Sequence, residues 1–342
     1  MNSKKKTINC IFAAIIIVFG VISALFVGKF IGNLNIDEDE YVFIDTDDNI
    51  DSVRQKLTAT NAGVSMMAFD MLNSYTHYED HIRPGRYRVS NTLSTLDLFR
   101  NMRNHQSEPV NLIVPSVRTI DDMAGKLARN LMIDSATIAD RLHDKTLCDS
   151  LGYTLQTIPA LFIPNTYQVY WETSVDGLVS RLVQVNGEFW TDERVEKASK
   201  TGLTKVEVIT LASIVDSETA NDGEKPRIAG LYMNRLHKDM LLQSDPTVIY
   251  AVGDFTIRRV LNRHLAVESP YNTYRVHGLP PGPIRIPSIA GIDAVLNYEH
   301  HNYIYMCAKE DFSGTHNFAE TYAQHAANAR RYIEALNRKG IK

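Results

Sequence analysis

The acid best placed for chemistry in this chain is Glu218. It lies near the end of the stretch Lys205–Ala220, in which Val208, Leu211, Ala212 and Val215 recur at helical spacing as one apolar stripe. Glu218 comes seven residues after Leu211, four after Ile214 and three after Val215. It therefore projects at the edge of the buried face, near the C-terminal end of the helix. Partial desolvation and the negative end of the helix dipole both favour a protonated carboxyl there. A glutamate that keeps its proton near neutral pH can protonate the oxygen of a glycosidic bond. Asp216, two residues earlier, faces another side of the helix, so the two acids cannot both serve one small substrate atom. Spacing alone also allows a plainer role for Glu218, as a solvated last-turn side chain or the partner of Arg227 or Arg235.

Three more clusters follow. In Gln243-Ser244-Asp245-Pro246-Thr247-Val248-Ile249-Tyr250, Ser244 or Asp245 is suited to cap a helix whose first position is Pro246. Gln243, ahead of the cap, is freer to face a ligand. Next come Ser269-Pro270-Tyr271-Asn272-Thr273-Tyr274 and His277-Gly278-Leu279-Pro280-Pro281-Gly282-Pro283-Ile284. Gly-Leu-Pro-Pro-Gly-Pro cannot be helix or central strand and must be a stiff, shaped loop. Tyrosine rings stack on the apolar faces of sugars, and an asparagine amide bonds hydroxyl and N-acetyl groups; a purely structural turn fits the same residues. The last cluster, Gly314-Thr315-His316-Asn317-Phe318, follows the β-rich stretch Tyr303–Cys307, and no cysteine or serine nucleophile motif stands beside His316.

The elements that must hold these residues can be read from periodicity. Tyr41–Ile44 is β-rich, and Ile50, Val53 and Leu57 recur at helical spacing behind an Asp-rich start suited to capping. Val64, Met67, Phe69 and Leu72 suggest a second helix, Pro84-Gly85 a turn, and Tyr87 and Val89 a returning strand. This βααβ rhythm over Tyr41–Ser90 resembles the LysM-like glycan-binding fold, and a spacer without ligand would show the same rhythm. Beyond it come a helical stripe at Leu96, Phe99 and Met102 and a strand at Val110–Val114. A helix follows with Ile120, Met123, Leu127 and Leu131 on one face, behind a capping-box pattern at Thr119 and Asp122. Amphipathic stretches at Ser135–Leu142 and through Val175, Leu178, Leu182 and Val185 precede the chemistry-bearing part, and a helix over about Glu320–Asn337 ends the chain.

Composition limits the function classes. The 342 residues are 44% hydrophobic and 22% charged, with net charge −4. That is an ordinary globular balance with no basic field for nucleic acid. No zinc spacing, Walker loop or dinucleotide fingerprint occurs, so neither metal nor cofactor is expected. Cys148 and Cys307 either pair or remain thiols. Lys4, Lys5 and Lys6 precede an uncharged apolar run from about Ile8 to Val27, and Lys29 follows it. As a helix such a run is about 30 Å long, enough to cross a bilayer. The leading lysines predict a cytoplasmic N-terminus. A cleaved signal peptide is the rival reading, but the run is longer than its apolar region and no small-residue cleavage site follows. Cys10 sits too early in the run for a lipoprotein cysteine.

Taken together, the clusters resemble the YceG/MltG family of endolytic murein transglycosylases. The matching residues are Leu211-Ala212-Ser213-Ile214-Val215 leading to Glu218-Thr219, then Asn234-Arg235-Leu236, then Gln243 with Asp245-Pro246-Thr247-Val248 and Tyr250. Tyr271-Asn272-Thr273-Tyr274, Gly278–Ile284, and Gly314 with His316 and Phe318 continue the pattern, and Phe162-Ile163-Pro164-Asn165-Thr166-Tyr167 resembles an upstream signature. The family usually has Glu where this chain has Asp216, Glu-Gly where it has Ser116-Val117, and Pro-Gly where it has Pro287-Ser288.

The resemblance implies an α+β protein with an N-terminal transmembrane helix, a small LysM-like βααβ subdomain and an α+β catalytic domain. The expected divisions are a cytoplasmic tail at 1–7, an anchor at 8–30, a linker at 31–40, the LysM-like part at 41–110 and the catalytic part at 111–342. It implies a lyase that cuts the β-1,4 bond between N-acetylmuramic acid and N-acetylglucosamine in nascent strands and leaves 1,6-anhydro ends, with Glu218 as acid and then base. A hydrolytic muramidase and a non-catalytic peptidoglycan-binding scaffold are the alternatives. Gln243, Asp245, Tyr271, Asn272, Thr273 and Tyr274 would line the groove, along with Gly278, Pro280, Pro281, Gly282, His316 and Phe318. The implied partners are glycan strands, the inner membrane, and cell-wall synthases or division proteins. The catalytic part is expected in the periplasm.

Overall fold

Local sequence sets the order of elements in the computed structural model, which describes residues 2–340, with side chains from Ile11 onward. The lysines at 4–6 and Cys10 therefore lie outside the described side chains. The chain divides into two units. The first comprises residues up to Asn111 with Asn130–Met132 and Gln168–Thr173, and the second comprises the remainder.

The first unit begins with α1 (Asn2–Ile31). Its stretch Ile11–Ile31 has mean hydropathy 2.8 and none of its most apolar window is buried, so it is long and apolar enough to cross a membrane. The chain after it is packed rather than free. Leu34 is 4% exposed, its N–H donates to the Leu93 carbonyl, and the Asn35 N–H donates to the Ala62 carbonyl. The polar stretch at 31–40 thus looks like a linker in composition, yet its middle is part of the folded unit. Then come β1 (Glu40–Ile44), α2 (Ile50–Ala59), α3 (Met66–Thr76), β2 (Gly85–Val89) and α4 (Thr95–Arg103). β1 and β2 pair antiparallel, from Glu40 opposite Val89 to Ile44 opposite Gly85. Asn49 and Ser94 cap α2 and α4 through reciprocal capping boxes with Ser52 and Asp97. The core gathers Val42, Ile44, Leu57, Leu98 and Met102 around an edge-to-face trio of Phe69, Tyr78 and Phe99.

Chain continuity carries β3 (Pro109–Val114) and β4 (Asn165–Tyr170) from one unit into the other. Between them are α5 (Ile120–Ala128), α6 (Ser135–Leu142) and α7 (Lys145–Ser150); after β4 come α8 (Val175–Phe189) and α9 (Asp192–Thr201). The second unit continues with α10 (Lys205–Glu218), α11 (Lys225–His237), α12 (Asp245–Val252), α13 (Asn262–Leu265) and α14 (Ile289–Leu296). It ends with β5 (Tyr305–Ala308), β6 (His316–Ala319) and α15 (Tyr322–Arg338). β5 and β6 form an antiparallel hairpin in which Ala308 faces His316.

α10 is the central element. Thr204 and Glu207 close a capping box at its start. Eight consecutive residues, Val208–Val215, are buried, so the helix is enclosed on all sides rather than along the single stripe its sequence suggests. The cause is local. The Thr210 hydroxyl donates to the Val206 carbonyl and the Ser213 hydroxyl to the Thr210 carbonyl, which lets polar residues sit inside without unpaired groups. Ser213 also accepts the Ile284 N–H at 3.0 Å, tying the proline-rich loop to the helix.

Candidate active site

Glu218 is the final residue of α10, before the cap at Thr219. Its Oε1 accepts two hydroxyls, Tyr232 at 2.7 Å from α11 and Ser244 at 2.6 Å from the N-terminus of α12. Among the described residues no protein donor sits on Oε2. The other roles open to this residue in sequence are taken elsewhere. Arg227 pairs with Glu299 at 3.0 Å, and Arg235 donates to the carbonyls of Ile304, Leu241 and Leu242. Burial raises the Glu218 pKa above the usual carboxylate value, and it outweighs the lowering by the Ser244 and Tyr232 hydroxyls.

Glu218 lines a cavity of about 240 Å³ together with Tyr232, Arg235, Gln243, Asp245, Tyr274, Met306, Cys307 and His316. Gln243 holds its backbone at φ 51°, a region a non-glycine residue occupies only where its surroundings fix it. The Gln243 N–H donates to the Thr273 carbonyl at 3.0 Å. Ser244 is the N-cap of α12 by backbone position, yet its hydroxyl makes no cap bond and goes to Glu218 instead; Asp245 and Pro246 open the helix. Asp245 Oδ1 accepts the Tyr274 hydroxyl at 2.7 Å. His316 arrives on β6, and its Nδ1 lies 2.8 Å from Glu224 Oε2, while its backbone N–H donates to Glu224 Oε1. A neighbouring carboxylate makes Nδ1 the donor in this pair.

Of the residues singled out in the sequence, Glu218, Gln243, Asp245, Tyr274 and His316 meet at the cavity. Asn272 and Thr273 stand behind its wall. Asn272 is fully buried, its amide donating to the Leu265 and Val267 carbonyls and its oxygen accepting the Tyr274 N–H. The Thr273 hydroxyl bonds Thr247 and accepts the Ser244 N–H. Their hydrogen-bonding capacity is therefore spent on positioning Ser244 and Tyr274. Tyr271 packs on Tyr250 at 4.8 Å between ring centroids. Phe318 packs against Tyr303 and the core. Gly278, Pro280, Pro281 and Gly282 do not line this cavity. A side chain at Gly282 would run into the Gln156 carbonyl, so its loop serves close packing.

The structure also brings in residues the motifs did not single out as functional. Tyr232 and Glu224 carry no pattern of their own, although a buried tyrosine hydroxyl on an apolar helix face has to find an acceptor. Asn234 and Arg235 hold the segment before β5 by donating to the carbonyls of His301, Tyr303 and Ile304. Asp216 is held away from Glu218: it pairs with Lys225 at 2.7 Å and accepts both the backbone N–H and the hydroxyl of Ser288. Two of the family departures, Asp216 and Ser288, thus touch each other. The third, Ser116, accepts from Arg285 and donates to the Ile286 carbonyl. Cys148 and Cys307 are free thiols. Among the described residues no group of His, Cys, Asp or Glu is arranged to hold a metal ion.

A family model described as the YceG-like family matches residues 42–331. An endolytic murein transglycosylase of Bacillus subtilis (strain 168) is 34% identical over 169 residues, covering 49% of this chain and 46% of that protein. An endolytic murein transglycosylase of Streptococcus pneumoniae serotype 2 is 25% identical over 299 residues, covering 79% of this chain and 54% of that protein. The chain thus spans about half the length of these relatives. The crystal structure of a YceG-like protein from Listeria monocytogenes aligns with TM-score 0.56 at 25% identity, covering 85% of this chain and 99% of that one. With the family model spanning most of its length, this chain belongs to the YceG-like family.

Proposed function

We propose that the chain is an endolytic lytic transglycosylase acting on the N-acetylmuramic acid–N-acetylglucosamine β-1,4 bond of peptidoglycan, with Glu218 as its acid and base. The observation that carries this reading is the asymmetry of the Glu218 carboxyl. Both hydroxyl donors converge on Oε1. In the neutral acid Oε1 is then the carbonyl oxygen, and the proton sits on Oε2, the oxygen without a protein donor. Burial favours that neutral form.

Oε2–H protonates the glycosidic oxygen as its bond to the muramic acid C1 breaks. The departing N-acetylglucosamine leaves with a hydroxyl at C4. The resulting carboxylate takes the proton of the muramic acid C6 hydroxyl while that oxygen closes on C1, giving the 1,6-anhydro ring and restoring the acid. Because the attacking oxygen belongs to the substrate, one carboxyl completes the cycle, unlike the two-carboxylate arrangement of ordinary glycosidases.

Gln243, Tyr274 and His316 are assigned to sugar binding because they share the cavity with Glu218. Asn272, Thr273, Tyr271 and the Gly278–Gly282 loop shape its surroundings. α1 anchors the chain with its N-terminus in the cytoplasm and the remainder outside. The βααβ order of the first unit supports a LysM-like glycan-binding role. A hydrolytic muramidase is the second reading, since Asp245 lines the same cavity and could position water.

Digestion of purified peptidoglycan with mass analysis of the products separates these readings. Anhydro-muramic ends are expected from wild type, and reducing muramic ends would turn the assignment to hydrolysis. Glu218→Gln keeps size and hydrogen bonding but carries no transferable proton, so cleavage should fall by about 10³-fold or more. An unimpaired variant removes Glu218 from the mechanism.

A further inference from the structure

A second cavity, of about 110 Å³, lies in the same unit and is bordered by Arg118, Ser217, Pro246, Tyr250, Phe255 and Arg285. Ser217 directly precedes Glu218 and Pro246 directly follows Asp245. Two of its walls are thus chain neighbours of the two acids in the active cavity, with Cα atoms about 3.8 Å from theirs.

Several cations of this unit are matched to acids, such as Lys225 to Asp216, Arg194 to Asp293 and Arg227 to Glu299, and the more deeply buried Arg235 is matched to backbone carbonyls. The two arginines here are not. Arg285 donates only to the neutral Ser116 hydroxyl, from Nε at 3.2 Å and Nη2 at 2.9 Å. Arg118 lies over the Phe255 ring at 5.0 Å. Among the described residues neither guanidinium has a carboxylate within ion-pair distance. Burial lowers the Arg285 pKa; the Asp216 carboxylate, itself paired with Lys225, raises it by more than the Arg118 charge lowers it. Two guanidinium groups, one exposed and one partly buried, that border one cavity without a paired carboxylate attract an anion, and a guanidinium fork suits an oxyanion.

We propose that this cavity is an oxyanion subsite holding a carboxylate of the stem peptide attached to the muramic acid at the cleavage point. The proposal rests on the reading of the chain as a peptidoglycan-cutting enzyme. The adjacency of Ser217 and Pro246 to the acids favours an anion on the reacting sugar's own substituent. The diphosphate at a strand's lipid end is the other source of the same chemistry. Arg118, the exposed member, meets the incoming group first, and Arg285, fixed by Ser116, sets its orientation.

The test uses the full chain in detergent. The probes are glycan strands with intact stems, strands stripped of stems by an amidase, and intact strands without their lipid diphosphate end. Equilibrium binding is measured on the Glu218→Gln background, and cleavage on the active enzyme. Arg118→Gln and Arg285→Gln, separately and together, should weaken binding and lower kcat/KM on stem-bearing strands by about 10–100-fold, with little change on stripped strands. Removing the lipid end should change neither value. Arg285→Lys, which keeps the charge but loses the fork, should fall in between. Equal losses on both substrates would show a packing role and overturn the subsite, as would no loss on either. A loss that follows the lipid end instead of the stem also overturns it. If wild type cuts no strand at all, the lyase reading fails, while the binding measurement still decides the subsite.

Discussion

At the scale of single residues, the proposed chemistry depends on how Glu218 is balanced. Burial pushes its pKa up, and the hydroxyls of Ser244 and Tyr232 pull it down. Removing one hydroxyl removes part of the downward pull. In Ser244→Ala the acid form should therefore persist to higher pH, moving the basic limb of the kcat/KM profile upward. The plateau should drop by about 10-fold, because the carboxylate formed in mid-reaction loses a donor. A limb that stays in place would show that this hydroxyl does not tune the acid. The same balance bears on stability. Below the unfolded value near 4.5 both states hold the proton, and Glu218→Gln should change the melting temperature little. As pH rises above that value, the unfolded chain ionises more readily than the native one, so the wild-type protein loses stability through the window up to the raised native value. Glutamine has no proton to lose. The variant's melting temperature should therefore exceed that of wild type at neutral pH, with the difference closing on acidification. A constant difference across pH would mean the native carboxyl is not perturbed.

At the scale of elements, α14 packs against α10 on the side that carries Asp216. Gly291 of α14 lies against the Asp216 carboxylate, where an added Cβ would collide. In an exposed helix, glycine to alanine is stabilising by about 1 kcal/mol. Here the collision should reverse the sign, and Gly291→Ala should cost about 1–3 kcal/mol, measured as a lowered urea midpoint at unchanged slope. A stabilised variant would mean the two helices are not in close contact. Local signals predicted these elements well. The amphipathic stretch at Ser135–Leu142 is a helix with those bounds, and α10 begins at Lys205 as expected but ends at Glu218, two residues short of Ala220. α9 was missed because its surface is laced by Lys–Glu pairs four residues apart and shows no apolar stripe. The enclosure of α10 was missed because Thr210 and Ser213 read as polar, although both hydroxyls bond within the helix. The candidate site was legible in part: Glu218, Gln243, Asp245, Tyr274 and His316, singled out in the sequence, line one cavity. Ser244 read as a cap and Tyr232 was not singled out, because their acceptor, Glu218, is 26 and 14 residues away along the chain. Long-range partners of this kind leave no local pattern.

At the scale of the whole molecule, the question is where the apolar helix ends and the folded body begins. Composition places the change after the apolar run, with a polar stretch at 31–40 in between. Packing places it earlier. Asn33 bridges to Ser94, the Leu34 N–H donates to the Leu93 carbonyl, the Asn35 N–H donates to the Ala62 carbonyl, and Leu34 joins the core of the first unit. Two truncations separate attachment from folding. A chain beginning at Gly32 lacks the apolar helix but keeps these contacts. It should remain in the supernatant without detergent and unfold at the same temperature as the full chain in mild detergent. A chain beginning at Tyr41 loses the same helix together with Leu34, its backbone pairs and the first residue of β1. By the cost of removing a buried leucine it should be less stable by about 2–5 kcal/mol. If the longer chain still pelleted with membranes, attachment would lie outside α1. If both chains unfolded alike, residues 33–36 would be a tether that merely rests on the body, and composition would have been the better guide than packing.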